Sequence, residues 1–379
     1  MHNRSRPFPL STERVGTPPL RATADGTARF ADRFAPALAS DFFRSASLGL
    51  TLSSLGIGTY LGDNTEGDDA AYEDSVRTAI QSGVNVIDTA INYRCQRSER
   101  AIGAALQRAF ASGDATREEL VVCTKGGYVP LDRTPPETRE EYQAYLKREF
   151  FDPQVLHADD LVGGGHSLAP RFLRYCIAKS RQNLGLRTID VYYVHNPEQQ
   201  LASVSVTELF ARLRAAFGVL EEAATRGEIG VYGLATWDAL RSPRGEKGAL
   251  ELEAVVNLAR EVGGDEHHLR AVQLPINLAM LEAVRGETQP IADKMVTAVA
   301  AAQALGVTVF GSATLMQSRL AANLPPTLAE HFPWCATDAQ RAVAFARSLP
   351  GVTTSLIGMR SAEHVRENLA SAPPTPSVS

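Results

Sequence analysis

Four residues that can take part in proton transfer stand at or just after the ends of short apolar segments. They are Asp88, Tyr93, Lys125 and His195. Reducing a carbonyl requires a hydride at carbon and a proton at oxygen, but a free tyrosine, with a pKa of about 10, exchanges protons poorly at neutral pH. A lysine ammonium near the hydroxyl favours the tyrosinate and lowers that pKa, and a carboxylate paired with the lysine keeps it charged. Because a histidine can hydrogen-bond the carbonyl oxygen, the set predicts carbonyl–alcohol chemistry with Tyr93 as proton donor.

Each of the four residues also has an ordinary structural explanation. Asp88 could cap a strand end, and Lys125 could be a solvated lysine. His195 could be a strand-end histidine with satisfied hydrogen bonds, and Tyr93 could be a packing residue. For any one of them taken alone, that explanation is the better one. It is improbable that all four structural explanations apply at once, on three similar strand ends. We therefore favour a shared site.

The segments that carry these residues have the pattern of strands buried on both faces. Eight such runs are short, rich in Val, Ile and Tyr, and mostly lack polar alternation. They span residues 53–58, 84–88, 120–124, 189–194, 230–234, 271–274, 307–310 and 354–357. Helical patterns fill most of the intervals, at residues 71–82, 99–112, 209–226, 251–262, 294–305, 338–348 and 362–369. Eight strands alternating with helices predict a closed (β/α)8 TIM barrel, an α/β fold whose strand ends converge on one mouth. An open doubly wound sheet is the alternative.

One segment interrupts this alternation. From Gly126 to about Ala169 the chain contains four prolines and a run of three glycines at residues 163–165. An irregular segment of this length is usually functional or disordered. Because it follows the third predicted strand, we expect this insert, residues 128–169, to cover the substrate site and set specificity. Its aromatic residues form either a wall of that site or a small core of the insert: Tyr128, Tyr142, Tyr145, Phe150 and Phe151.

The chain is predicted to form a single domain, with the barrel at residues 22–372. The Pro-, Arg- and Ser-rich residues 1–21 are expected to be disordered, and residues 373–379 to form a flexible tail. Four phenylalanines within residues 22–48 suggest that part of this stretch packs on the barrel. A length of 379 residues suits one α/β barrel with extra segments.

Composition argues against some classes of partner and location. The net charge is −5 and no block of basic residues occurs, which disfavours nucleic acid or an anionic membrane. No apolar run is long enough to span a membrane, and no secretory signal follows the N-terminal arginines. The four cysteines form no CxxC pair and no zinc spacing, so we expect reduced thiols and a cytoplasmic location.

Three motifs imitate other kinds of site. Residues 56–62 read GxGxxxG, one residue too long for a dinucleotide loop, and fit the first barrel strand better. Residues 165–169 resemble a hydrolase nucleophile elbow, but no strand precedes them and the final glycine is missing. Four polar side chains of the insert could bind a metal: His157, Asp159, Asp160 and His166. Polar loop residues are the simpler explanation, and we expect no metal site.

These strand-end motifs resemble those of a known family, the aldo-keto reductases. The shared motifs are strand–Asp-Thr-Ala–Tyr, strand–Thr-Lys, strand–His and a closing Gly-Met-Arg-Ser…Glu-Asn, over about residues 46–372. The resemblance implies that Asp88, Tyr93, Lys125 and His195 form a catalytic tetrad. It also implies an NADP(H)-dependent oxidoreductase that interconverts an alcohol and a small-molecule carbonyl, which is an aldehyde, a ketone or a sugar. The cofactor would lie extended across the barrel mouth, without a Rossmann domain. The direction stays open, since Tyr93 can equally act as a base.

The resemblance further implies cofactor contacts at strand ends and in the last loop: Thr236, Gln273, Phe310, Gly358, Arg360, Ser361, Glu367 and Asn368. In the family, the glutamine holds the nicotinamide carboxamide and an aromatic residue, here Phe310, stacks on the ring. The loop with Arg360 and Ser361 opens a helix, which suits a 2′-phosphate. This favours NADP(H) over NAD(H) without excluding NAD(H). The Glu-Asn pair would contact adenine, while Thr236 replaces part of the usual carboxamide clamp.

Two departures from the family pattern concern the substrate side. A longer turn follows Tyr93 and carries Arg94 and Arg97, which could bind an anionic substrate or a cofactor phosphate, although solvated arginines are the simpler explanation. Lys125 and His195 are 70 residues apart, far more than in most members, because of the insert. Fold does not fix function, so the alternative is a cofactor-sensing or partner-binding subunit with little turnover.

Overall fold

Eight parallel strands close into a barrel in the computed structural model, which describes residues 20–374. In this part of the chain the strands are β1 (Phe43–Ser45), β2 (Thr51–Ser53), β3 (Leu55–Gly58), β4 (Val86–Asp88), β5 (Val121–Gly126), β6 (Ile189–His195), β7 (Ile229–Ala235), β8 (Leu269–Pro275), β9 (Gln289–Ile291), β10 (Lys294–Val296), β11 (Thr308–Ser312) and β12 (Thr354–Gly358). The helices are α1 (Ala24–Phe34), α2 (Glu66–Gln81), α3 (Arg97–Ser112), α4 (Arg139–Leu146), α5 (Pro170–Leu184), α6 (Val206–Thr225), α7 (Leu252–Gly263), α8 (Glu282–Arg285), α9 (Ala298–Ala304), α10 (Thr327–His331), α11 (Asp338–Ser348) and α12 (Ala362–Leu369).

The barrel runs in the order β3-β4-β5-β6-β7-β8-β11-β12, and β12 pairs in parallel with β3. The prediction of a (β/α)8 barrel is confirmed, and the open-sheet alternative is wrong. The segments predicted to be disordered or flexible, residues 1–21 and 373–379, lie almost wholly outside the described residues.

The barrel strands are apolar because both of their faces are covered. Every residue of β4, β5 and β6 is buried. Side chains such as Val86 and Val121 fill the inside of the barrel. Their neighbours along the strands, such as Ile87 and Val122, belong to the core formed with the surrounding helices. This two-sided burial explains why the strands show no polar alternation.

The segment before the barrel closes its N-terminal end. The hairpin of β1 and β2 places Leu48, Leu50 and Leu52 against the inner core of the barrel. Phe30 of α1 and Phe42 are fully buried. The expectation that part of residues 22–48 packs on the barrel is therefore confirmed.

One helix begins later than its sequence pattern predicts. The pattern at residues 294–305 suggested a single helix, but Lys294–Val296 pairs antiparallel with Gln289–Ile291. The helix α9 starts only at Ala298, where the side chain of Thr297 accepts a hydrogen bond from a backbone N–H of the first turn. Tertiary pairing therefore overrides helical periodicity at this point.

The insert forms a small core of its own beside α5. Helix α4 continues into a wider turn, Lys147–Phe151, that buries Phe150 completely. The ring of Phe150 contacts Tyr145 and, on α5, Phe172 and Tyr175. Of the two roles left open for the insert aromatics, the core role applies here.

Candidate active site

A cavity of about 340 Å³ opens at the C-terminal ends of the barrel strands. The strand-end residues that line it are Gly58, Asp88, His195, Ala235, Gln273, Ser312 and Gly358. Tyr93 and the loop after β11 complete much of the wall. A concave site with aromatic groups and a few converging polar groups is typical of a small-molecule site.

Lys125 and Asp88 form a buried ion pair beside this cavity. The ammonium of Lys125 donates to Asp88 Oδ2 at 2.7 Å and to the carbonyl oxygen of Thr89 at 2.7 Å. The side-chain amide of Gln273 donates to the other oxygen, Asp88 Oδ1, at 2.8 Å. The two charged side chains are only 1% and 7% exposed. The pair is therefore held by protein groups rather than by bulk water.

The pKa values of this pair reflect burial and mutual attraction. Burial alone would lower the pKa of Lys125, but the carboxylate of Asp88 and the nearby Tyr93 raise it overall. The lysine therefore stays charged at neutral pH. Burial raises the pKa of Asp88, and the hydrogen bonds from Lys125 and Gln273 oppose that rise.

Tyr93 stands next to the ion pair at the start of a strained turn. Its ring centroid lies 5.0 Å from Lys125 Nζ. The next three residues, Arg94, Cys95 and Gln96, have φ values of 48°, 54° and 66°. That left-handed region costs a non-glycine residue on the order of 1 kcal/mol or more.

The sign of the pKa shift at Tyr93 differs from the sequence-based expectation. Burial raises the pKa of the Tyr93 hydroxyl, and the ammonium of Lys125 offsets only part of that rise. Lys125 lowers the tyrosine pKa as expected, but the net shift is upward, because desolvation of the tyrosinate outweighs the attraction of the lysine. The hydroxyl stays protonated at neutral pH.

The two arginines of the turn hold it in place and do not line the cavity. The side chain of Arg94 is 1% exposed and donates to Asp69 Oδ1 at 2.6 Å. It also donates to the carbonyl oxygen of Asp63 at 2.8 Å. Arg97 forms an ion pair with the same carboxylate of Asp69. The hypothesis that these arginines bind an anionic substrate or a cofactor phosphate gains no support from this arrangement, since both pair with a carboxylate in the first turn of α2.

His195 lies beside Tyr93 with their ring centroids 6.0 Å apart. Burial, and then the positive charge of Lys125, holds the pKa of His195 well below its usual value. The imidazole is therefore neutral at pH 7. Within residues 20–374 its buried Nδ1 has no hydrogen-bond partner. A neutral imidazole beside a tyrosine hydroxyl can orient a carbonyl oxygen.

Three of the predicted cofactor residues line the cavity: Thr236, Gln273 and Gly358. The hydroxyl oxygen of Thr236 is buried and has no hydrogen-bond partner in the described part of the chain. Gln273 uses its amide nitrogen on Asp88. The cavity therefore contains polar groups whose hydrogen-bonding capacity is unused.

Phe310 does not line the cavity. Its side chain is fully buried and its ring contacts Tyr193 inside the barrel, with the ring centroids 6.2 Å apart. Ser312, two residues further along β11 and on the same face, lines the cavity instead. The prediction that Phe310 stacks on a nicotinamide ring is wrong, because the residue lies too deep in the barrel.

The loop after β12 carries the residues predicted to contact a cofactor phosphate. Ser361 is the N-cap of α12, and its side chain accepts the backbone N–H of His364. The guanidinium of Arg360 is 50% exposed and lies 3.5 Å from Asp68 Oδ1. Such a loose, solvated pair leaves Arg360 free to take another anion.

The Glu-Asn pair lies in the last turn of α12 and does not line the cavity. Glu367 accepts a hydrogen bond from the hydroxyl of Thr337 at 2.9 Å. The side-chain oxygen of Asn368 is buried and, among residues 20–374, has no partner. An orphan buried acceptor of this kind suits a ligand donor.

Several residues of the cavity wall escaped the sequence analysis as site residues: Tyr60, Asn92, Asn196, Trp237, Thr314 and Met316. Tyr60, Asn196 and Trp237 come one or two positions after β3, β6 and β7. Inspecting the positions just beyond each predicted strand would have found them, since those positions form the rim of a barrel.

The insert contributes only one residue, Tyr128, to the cavity wall. The expectation that it covers the substrate site is therefore wrong for the rest of its length. Its hypothetical metal ligands also point to other partners: His157 contacts Arg171, and His166 turns inward to the carbonyl oxygen of His195. Residues 20–374 contain no group of three or more His, Cys, Asp or Glu side chains that could hold a metal ion.

The amino-acid sequence also matches a known protein family. A family model described as "Aldo/keto reductase family" matches residues 54–258, more than half of the chain. The chain belongs to the aldo/keto reductase family. It is accordingly an oxidoreductase.

Two curated relatives of this aldo/keto reductase carry names that describe an activity. D-threo-aldose 1-dehydrogenase from a Pseudomonas species is 28% identical over 280 residues, which are 72% of this chain and 70% of the relative. NADH-specific methylglyoxal reductase from Escherichia coli K12 is 30% identical over 195 residues, which are 50% of each protein.

Solved structures of low sequence identity share the fold of this aldo/keto reductase. A Klebsiella pneumoniae aldo/keto reductase in complex with NADP and acetate has a TM-score of 0.56 at 17% identity, over 87% of this chain and 89% of its own. The glycerol dehydrogenase of Gluconobacter oxydans has a TM-score of 0.58 at 18% identity, over 88% and 90%. Among the helices described here, none is long and apolar enough to cross a membrane.

Proposed function

We propose that this aldo/keto reductase uses NADP(H) to interconvert a small-molecule carbonyl and an alcohol, with Tyr93 as general acid and base. The observation that carries the proposal is the convergence of Tyr93, His195 and the Lys125–Asp88 ion pair at one cavity. Relatives named for an aldose dehydrogenase and a methylglyoxal reductase support carbonyl chemistry in either direction. A cytoplasmic location stays a prediction from composition.

In the reductive direction, Tyr93 donates its proton to the carbonyl oxygen. Its raised pKa keeps the hydroxyl protonated at neutral pH. The ammonium of Lys125, 5.0 Å from the ring, stabilises the tyrosinate that remains, and Asp88 holds the lysine in position. An N–H of the neutral His195 ring donates to the carbonyl oxygen and orients it. In the oxidative direction the tyrosinate accepts the proton of the alcohol.

A bound nicotinamide cofactor supplies or accepts the hydride. The residues present fit such a cofactor, because Thr236 and Asn368 have buried side-chain oxygens without partners in the described part of the chain. Thr236 and Gln273 would hold the carboxamide, and Glu367 with Asn368 would contact adenine.

The loop after β12 would hold the phosphate that distinguishes the two nicotinamide cofactors. Gly358 leaves room at the cavity wall, and Arg360 with Ser361 would bind the 2′-phosphate of NADP(H). NAD(H) is the alternative cofactor, since one relative is named for NADH specificity.

Titration of the protein with NADPH and with NADH tests the cofactor assignment. The chain has two tryptophans, and Trp237 lines the cavity whereas Trp334 does not. We expect NADPH to quench tryptophan fluorescence at lower concentration than NADH, and a Trp334→Phe variant to keep the signal. Binding of neither cofactor would contradict the proposal. Tight binding with no turnover of any aldehyde, ketone, sugar or alcohol would favour the cofactor-sensing alternative.

Replacing Tyr93 by phenylalanine tests the proton step. We expect kcat to fall by roughly 10²- to 10⁴-fold, the usual contribution of a general acid, with the Kd for NADPH unchanged. Tyr142→Phe is the matched control, because Tyr142 lies in the insert and its hydroxyl donates to the carbonyl oxygen of Gly164. Retained turnover in the Tyr93→Phe protein would contradict the mechanism.

A further inference from the structure

The insert returns to the barrel beside the end of β6 and places a buried histidine there. Its two ends are paired: the N–H of Val129 donates to the carbonyl oxygen of Gly165 at 2.8 Å, and the N–H of Ser167 donates to that of Gly127 at 2.7 Å. His166, between them, is 3% exposed. This pairing fixes where the histidine side chain enters the barrel wall.

Both ring nitrogens of His166 are hydrogen-bonded, and the network determines which one carries the proton. Arg212, which can only donate, donates to Gln200 Oε1 at 2.6 Å. The amide nitrogen of Gln200 therefore faces His166 Nδ1, at 2.7 Å, and donates to it. The proton is then on Nε2, which donates to the carbonyl oxygen of His195 at 2.7 Å. Burial lowers the pKa of His166 to about 4, so this neutral form persists at pH 7.

The carbonyl that His166 binds lies where β6 ends and the chain turns. The next residue, Asn196, has a φ of 45°, and its N–H donates to the carbonyl oxygen of Ala235 on β7 at 2.6 Å. The backbone of His195 is therefore held from the β7 side by Asn196 and from the β5 side by His166. The ring of Tyr128 contacts both histidine rings edge-on, at centroid distances of 4.8 and 4.9 Å.

A glycine makes this approach feasible. Gly127 has a φ of +146°, and a Cβ atom at this position would lie 2.9 Å from the carbonyl oxygen of His195 and 3.1 Å from His166 Nε2. Any side chain at residue 127 would press between the donor and the acceptor. The close contact between His166 and the carbonyl oxygen of His195 therefore requires a glycine at residue 127.

We propose that His166 is a positioning residue that fixes the backbone of His195 and thereby the orientation of its imidazole towards Tyr93. The proposal rests on the role assigned to His195 under the proposed function. His166 does not line the cavity. The insert therefore supports the active site from the side through His166, with Tyr128 as its contribution to the wall.

The test compares His166→Leu, which loses both hydrogen bonds, with His166→Gln, whose amide can donate to His195 and accept from Gln200. We expect His166→Leu to lower kcat by roughly 10- to 100-fold, as misplacement of a reacting group does, with little change in KM or in the Kd for NADPH. His166→Gln should recover most of kcat. No loss of kcat in the leucine variant, or no recovery in the glutamine variant, would overturn the proposal.

Two further variants separate positioning from general loss of stability. His267 is another buried histidine, 5% exposed, at the opposite end of the barrel before β8. His267→Leu should lower stability but not kcat, and an equal loss of kcat in both leucine variants would overturn the proposal. If His166→Leu does not fold, Gln200→Met keeps His166 but removes the donor to its Nδ1, together with the acceptor of Arg212. We expect a smaller loss of kcat there, and wild-type kcat would count against the proposal.

A double-mutant cycle with His195→Ala distinguishes this proposal from the proposed function. If His195→Ala alone keeps wild-type turnover, the role of His195 fails and the positioning role fails with it. If His195→Ala is impaired, adding His166→Leu should cause no further loss of kcat. A full additional loss would overturn the positioning role alone and leave the proposed function intact.

Discussion

Replacing Lys125 by methionine removes one partner of a buried ion pair and leaves Asp88 without its counter-charge. The two groups are 2.7 Å apart, and their side chains are 1% and 7% exposed, so solvent cannot replace the lost ammonium. Removing one member of such a pair costs about 3–5 kcal/mol of unfolding free energy. The double variant Lys125→Met/Asp88→Asn removes both charges, and its amide can still accept from Gln273. We expect its stability to return close to that of the wild type, because neutral replacements of buried ion pairs are often neutral in energy.

The stability deficit of the single variant should depend on pH. Without Lys125, burial raises the pKa of Asp88 further above the value of about 3.9 that it has in the unfolded chain. A carboxyl whose folded-state pKa is raised binds its proton more tightly in the folded state. Stability is therefore lost as pH rises through the interval between the two pKa values. The deficit relative to wild type should be larger at about pH 8 than at about pH 5.

The assay is urea denaturation followed by tryptophan fluorescence, with kcat measured on the same samples. Both variants should lose turnover by roughly 10²-fold or more, since each lacks the ammonium that stabilises the tyrosinate. Restored stability without restored turnover is the expected signature of the double variant. A double variant as unstable as the single one, or a single variant as stable as wild type, would refute the reasoning from the buried pair.

Three further outcomes are expected. Arg360→Met should raise the Kd for NADPH by roughly 10- to 100-fold, which corresponds to the loss of a charge-assisted hydrogen bond worth about 1.5–3 kcal/mol. The Kd for NADH should barely change. Equal increases of both Kd values in cofactor titrations would exclude the phosphate role. Phe310→Ala should lower the free energy of unfolding, measured by urea denaturation, by about 3–5 kcal/mol, because it leaves a cavity in the core. A raised Kd for NADPH at unchanged stability would instead support the stacking role. Because the pKa of His166 is about 4 when folded against 6.5 as its ordinary value, wild-type stability should fall relative to His166→Gln by about 3 kcal/mol as pH drops through that interval. A pH-independent difference between the two unfolding curves would contradict the buried neutral histidine.

The strand-borne part of the site could be predicted because a buried strand shows an uninterrupted apolar run. Asp88, Lys125 and His195 lie at or near the ends of such runs, and a closed parallel barrel brings those ends to one mouth. Depth within the barrel is not visible in the same pattern. Phe310 and Ser312 share one face of β11, and only the depth of each residue in the barrel decides which of them lines the cavity.

The contacts that support the site could not be predicted, since no periodicity records which distant residues meet. The strained turn after Tyr93 is held by Arg94, whose partner Asp69 lies in the first turn of α2. The sequence shows that the turn contains an arginine, but it does not show which distant carboxylate the side chain contacts. The insert aromatics posed the same difficulty, because a substrate wall and a local core require the same residue types.

Each group of the proposed proton-transfer site is therefore held by a different long-range contact. Asp88 holds Lys125, Arg94 and Asp69 hold the turn of Tyr93, and His166 holds the strand end at His195. Because proton transfer depends on placement within a fraction of an ångström, substitution of a supporting residue should lower turnover even where the reacting groups are intact. The sequence motifs point to the proposed chemistry, whereas the proposed supporting residues are brought together only by the fold.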